Sequence, residues 1–140
     1  MTGAIRTPEM SRAASLYAAQ PAVRRALLDL QRRLGRAQHS VLEGRDIGTV
    51  VFPDAEVKIF LTASDEARAG RRMRELQAKG TDVSLQTVLN EIKARDAADA
   101  GRAEAPLQQA EDAVVVDTTG LDFDGSVQAC VDVVEAARQG

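Results

Sequence analysis

A chain of 140 residues and 15.0 kDa has room for one domain with a core, and 44% hydrophobic with 28% charged residues excludes a disordered tail or a disulfide-rich scaffold. The balance of 18 Lys+Arg against 21 Asp+Glu leaves a net charge of -3, so no overall positive field marks a nucleic-acid or anionic-membrane partner. One cysteine and one histidine exclude an intrachain disulfide and a zinc site of the usual composition.

No run approaches the length of a membrane span, and Met1–Arg6 has no charged segment leading into an apolar one. The chain is therefore expected to be soluble and cytoplasmic. Thr7-Pro8-Glu9 starts a first helix, with Thr7 as its cap, and that helix ends before Pro21. Pro21 opens a second helix with Val23, Leu27, Leu30 and Leu34 at helical spacing; its arginines read as a solvated face. Val41-Leu42 is a short strand running into the polar loop Glu43–Asp46, and Val57–Leu61 is a second, better strand. Ser64 caps a helix that runs to Lys79 and stops at Gly80, and Ser84 caps the next, with Leu85, Val88, Leu89 and Ile92 on one stripe. Val114-Val115-Val116 has the continuous apolar character of a strand buried on both faces of a parallel sheet. The last helix carries Val127, Cys130, Val131 and Val134 on one stripe, with Cys130 read as a buried small hydrophobe rather than a nucleophile.

Alternating strands and helices predict an α/β layer structure with parallel strands, in which ligands sit beyond the carboxyl ends of the strands. That points to Gly44–Val50, Thr62–Asp65 and Asp117–Gly120. In the first, two glycines bracket Arg45 and Asp46, a pair that serves either a close-approaching ligand or an internal salt bridge. Arg95, Asp99 and Arg102 fall at i, i+4 and i+7 on one helical face, either a phosphate fork or a salt-bridge ladder. Arg68, Arg71 and Arg72 place like charges on one face, which suits an incoming anion unless Asp65, Glu66 and Glu75 neutralise them. No lysine follows a glycine, so G-x-x-x-x-G-K-[ST] is absent from these residues, as are G-x-G-x-x-G and G-x-S-x-G.

The run Gly44-Arg45-Asp46-Ile47-Gly48-Thr49-Val50-Val51-Phe52-Pro53-Asp54-Ala55 resembles the corresponding run of bacterial cytidylate kinases, which transfer phosphate from ATP to CMP and dCMP. The resemblance continues in order through Val57–Ser64, Arg71-Arg72, Leu76–Gly80, Glu91–Asp96, Arg102–Leu107 and Asp117–Leu121, and upstream through Ile5–Glu9 and Ala13–Ser15. It implies that Ser15, Arg24 and Asp46 surround the cytosine and that Arg45 and Arg102 hold the nucleotide phosphate. It further places Arg95 and Asp99 near the transferring phosphate and the ribose, and Arg71 and Arg72 on a lid segment, about 65–105, closing over ATP. ATP as phosphoryl donor, with Mg2+ bound to it, and CMP or dCMP as acceptor are the implied ligands; no resident metal, nucleic acid or membrane is expected.

The implied fold is a partial P-loop nucleoside-monophosphate-kinase-like α/β domain of three layers, spanning residues 1–140 as one incomplete unit. Three parallel strands and a helical lid are expected, the first strand and phosphate loop being absent. The chain thus looks like the C-terminal part of such a kinase, inactive alone, with the missing N-terminal part as a partner if it exists as a separate chain. A non-catalytic nucleotide- or partner-binding module derived from the same family is the alternative. Ala98, Ala100 and Gly101 depart from the family's polar pattern in the late helix, and Gly101 weakens its end.

Overall fold

The computed structural model describes residues 7–18, 20–100 and 107–139. The chain forms two compact units, residues 1–43 and 44–140. In the first, α1 (Pro8–Ala18) packs against α2 (Pro21–Arg36). Thr7 Oγ1 accepts from the Met10 amide at 3.2 Å, the cap its position promised. Gln20 is extended, as a residue before proline must be, and Pro21 then starts α2. No residue of α2 is buried, and Leu27, Leu30 and Leu34 remain partly exposed.

The expected strand at Val41-Leu42 does not form. Both residues lie outside any regular element, and Val41 is fully exposed. A two-residue apolar pair becomes a strand only when a neighbour supplies its ladder of hydrogen bonds. Among the described residues the sheet holds two strands rather than the three expected.

The second unit runs through a π-helical turn (Ile47–Val51), β1 (Ile59–Thr62), α3 (Asp65–Ala78), α4 (Leu85–Ala100), β2 (Val114–Asp117) and α5 (Phe123–Gln139). β1 and β2 are parallel, with Ile59 opposite Val114 and Thr62 opposite Asp117. The helix limits follow local chemistry. Ser64 Oγ accepts from Ala67 N at 3.2 Å, and Ser84 Oγ from Thr87 N at 3.1 Å. Gly80 closes α3 at φ 80°, a backbone region that other residues resist. Thr81 N then reaches Leu76 O, satisfying a carbonyl at the helix end.

α3 and α4 pack against one another, and among the described residues the buried apolar ones are Val51, Phe52, Ala69, Val88 and Val116. Only Val116 of the three consecutive valines is buried; Val114 and Val115 stay about half exposed, contrary to a strand covered on both faces. The stripe on α5 is likewise open, with Val127, Val131 and Val134 exposed and Cys130 only half-buried. Among the described residues, no helix is long and apolar enough to cross a membrane.

Candidate functional site

The expected site residues of the second unit fall largely on two loops, of which only the second follows a strand. The first is Gly44–Phe52. Asp46 begins the π turn: its carbonyl accepts from Val50 N at 2.8 Å and Val51 N at 3.1 Å, while Ile47 O accepts from Phe52 N at 2.7 Å. Burial of Val51 and Phe52 pins the far end of the turn and leaves Arg45 and Asp46, both half-buried, at its head. The bracketing glycines are there for close approach. A Cβ on Gly44 would meet Ile47 Cγ1 at 2.8 Å, and one on Gly48 would meet Lys58 Cδ at 3.3 Å. Lys58 is itself fixed, donating to Pro53 O at 2.6 Å and to Asp112 Oδ2 at 2.6 Å, which holds the Asp112 carboxyl below its usual range.

The second loop follows β2. Thr62 O accepts from both the amide and the hydroxyl of Thr118, at 2.8 and 3.0 Å, and Ser64 N donates to Thr119 Oγ1 at 2.9 Å. Asp117 Oδ1 accepts from the hydroxyl and amide of Thr119, which lowers its carboxyl pKa. Arg71 of α3 reaches into this loop. It donates to Thr118 O, to Thr118 Oγ1 at 3.1 Å and to Leu121 O at 3.1 Å. A cleft of about 410 Å³ opens between α3 and the loop, lined by Glu66, Gly70, Arg71, Arg74, Thr119 and Asp122 among others.

The basic face of α3 therefore relieves its repulsion within the chain. Arg68 pairs with Asp65 and Asp96, each at 2.5 Å, Arg72 pairs with Glu75 at 2.8 Å, and Arg71 is spread over two carbonyls and a hydroxyl. Glu75 also takes Lys79, and these two cations hold its carboxyl below the usual range. Of the remaining expected residues, Arg45, Asp46 and Arg95 lie in the second unit with Arg71 and Arg72, whereas Ser15 on α1 and Arg24 on α2 lie in the first. The side chains of Ser15 and Asp99, and all of Arg102, lie outside the described residues. The Asp96 carboxyl is held below its usual range, first by the hydrogen bond from Arg68 and then by attraction from Arg95 and Arg45. Sequence reading passed over Asp96 because its partner Arg68 is a non-local one; its place beside Arg95 was the available signal.

The staple made by Arg71 has a measurable consequence. Thr118 is buried, and Arg71→Ala removes charge-assisted bonds to it, so the variant should lose about 1.5–3 kcal/mol of stability in a urea titration. Arg72→Ala breaks only a half-exposed pair and should shift stability by less than about 0.5 kcal/mol. Equal losses would show that Arg71 holds nothing together.

The family model for cytidylate kinase matches residues 1–136. The chain is 54% identical over 136 residues to the cytidylate kinase of Syntrophotalea carbinolica, a match covering 97% of this chain and 58% of that protein. It is 53% identical over 135 residues to the cytidylate kinase of Methylocella silvestris, covering 96% and 62%, and 52% identical over 138 residues to that of Xanthobacter autotrophicus, covering 98% and 66%. The chain belongs to the cytidylate kinase family. It spans between 58% and 66% of the length of these three relatives.

Proposed function

We propose that this chain supplies the acceptor-nucleotide site and the lid of an enzyme that moves a phosphoryl group from magnesium-bound ATP to CMP or dCMP, giving CDP or dCDP. The observation that supports it is the family match across 97% of the chain. In this reading the fold is a partial phosphate-loop nucleoside-monophosphate-kinase fold, with α3 and α4 as the lid.

Asp46 receives the base. A carboxylate accepts a hydrogen bond from the exocyclic amine of cytosine and opposes the carbonyl that uracil has there. Arg45 and Arg102 take the acceptor phosphate, and Arg95 with Asp99 lies near the transferring group and the ribose. Phosphoryl transfer asks little covalent chemistry of a protein: it asks for in-line positioning and for cations where charge spreads over the moving group. Arg72 stands on the helix that would close over ATP. Arg71 shapes the cleft beside it by holding the loop after β2.

The test is base choice. A chimaera joining this chain to the part of the Syntrophotalea carbinolica enzyme that the match leaves uncovered is assayed with CMP and ATP varied in turn. Asp46→Ala leaves polar groups of the base mispaired, about 1–3 kcal/mol, so kcat/KM for CMP should fall roughly 5- to 150-fold while the KM for ATP holds. Equal losses for both nucleotides would remove Asp46 from the acceptor site.

A further inference from the structure

Lys58 joins three places in the second unit. Its carbonyl accepts from Val114 N at 2.9 Å, which fixes its backbone at the start of the sheet. Its ammonium donates to Pro53 O at 2.6 Å and to the two Asp112 carboxylate oxygens at 2.6 and 2.9 Å. Its stem lies against Gly48 in the π turn, where a Cβ would stand 3.3 Å from Lys58 Cδ and 3.5 Å from Cγ. The lysine thus meets the turn twice, at Gly48 inside it and at Pro53 just beyond its end. Stability alone does not explain a lysine here. Its side chain is only 8% exposed, whereas that of Asp112 is 63% exposed. Burying an ammonium costs desolvation free energy, and a carboxylate lying mostly in water returns only part of it. Methionine would fill nearly the same space without that cost. What methionine cannot do is hold Pro53 O and Asp112 together at fixed distances. The turn's own hydrogen bonds, onto Asp46 O and Ile47 O, set its shape rather than its place on the sheet. Burial of Val51 and Phe52 draws the turn inward, but apolar contact is non-directional.

We propose that Lys58 is a positioning residue for the Gly44–Phe52 loop. By tying Pro53 O to Asp112 and lying against Gly48, it sets where the head of the π turn, with Arg45 and Asp46, stands on the sheet. That the ligand at this head is CMP or dCMP rests on the kinase reading above; the placement of the turn does not. Asp112, on the loop before β2, acts on the turn through its bonds to Lys58.

The test uses two variants in the chimaera, Lys58→Met and Asp112→Ala, singly and together. Lys58→Met should raise the KM for CMP about tenfold while the KM for ATP holds, since misplacing a group by about 1 Å is enough for such a loss. Asp112→Ala should raise it by less, because Pro53 O keeps its donor. The double variant should be no worse than Lys58→Met, since both changes act through one contact. Melting temperatures should move by only a few degrees, the Asp112 carboxylate being largely solvated already. An unchanged KM for CMP in Lys58→Met, KM values that rise together for both nucleotides, or losses that multiply in the double variant each overturn the proposal. If Lys58→Met fails to fold, Asp112→Ala decides alone: a rise confined to CMP supports the proposal, and no rise overturns it. An unaltered chimaera that does not phosphorylate CMP removes the kinase reading, and the placement is then read by NMR in the 140-residue chain. There Asp112→Ala should move the amide signals of Gly48 and Thr49 while those of Leu61 and Val116 hold, and it should move neither turn signal further in a Lys58→Met background. Turn signals that stay in place in Asp112→Ala overturn the proposal.

Discussion

Mixed with ATP, magnesium and CMP, the 140 residues as they stand should produce no CDP above background. Phosphoryl transfer of the proposed kind needs a backbone N–H cradle and a lysine on the ATP phosphates, and no G-x-x-x-x-G-K-[ST] occurs in these residues. The structure narrows the substitutes. Lys58 is committed to Asp112 and Pro53 O, and Lys79 to Glu75, which leaves Lys93 on the exposed side of α4. Losing one preorganised donor from a transition state costs about 10²–10³ in rate, and here several are lost together. A turnover number at least about 10⁴-fold below that of a full-length relative, measured by a coupled CDP assay, is the expected outcome. Turnover within a hundredfold of the relative would mean that another segment holds the donor phosphates.

In the chimaera, Arg95→Lys and Arg102→Lys should each lower kcat by about ten- to a hundredfold, because lysine keeps the charge and loses the planar fork that meets two phosphate oxygens at once. Arg95 is exposed, so the melting curve should hardly move, within about 0.5 kcal/mol. Full activity with lysine at both positions would return this face of the helix to the salt-bridge ladder that its spacing also allows. A collapse of the melt instead would make the two arginines parts of the scaffold.

The elements most legible in the sequence were those decided within four residues. Thr7, Ser64 and Ser84 cap helices because a side-chain oxygen meets an amide three positions on, and Gly80 ends one because it alone takes a positive φ cheaply. What depends on distant partners was not legible. Val41-Leu42 has the composition of a strand and no ladder to join. The exposure of Val114 and Val115, and of the α5 stripe, comes from what covers a surface, and periodicity describes the surface alone.

The candidate site divides the same way. Thr62–Asp65 and Asp117–Gly120 do lie at the carboxyl ends of parallel strands, but Gly44–Val50 follows no strand, because the one expected before it does not form. The π turn that lifts Arg45 and Asp46 out of the Gly44–Val50 segment was missed, since such turns carry no composition of their own. Arg71 read as an anion ligand because its acceptors, Thr118 and Leu121, are carbonyls far along the chain that sequence cannot place near it.

That commitment of Arg71 also decides where a lid can bend. The start of α3 cannot swing away from the sheet without releasing three acceptors, and Ser64 N is tied to Thr119 as well. A lid that includes α3 therefore carries the loop after β2 with it or gives up those bonds. It cannot bend at Gly80 either without parting α3 from α4, which pack together and are joined by Arg68 and Asp96. α3, α4 and the loop after β2 are thus held together, by Arg71 on one side and the Arg68–Asp96 pair on the other.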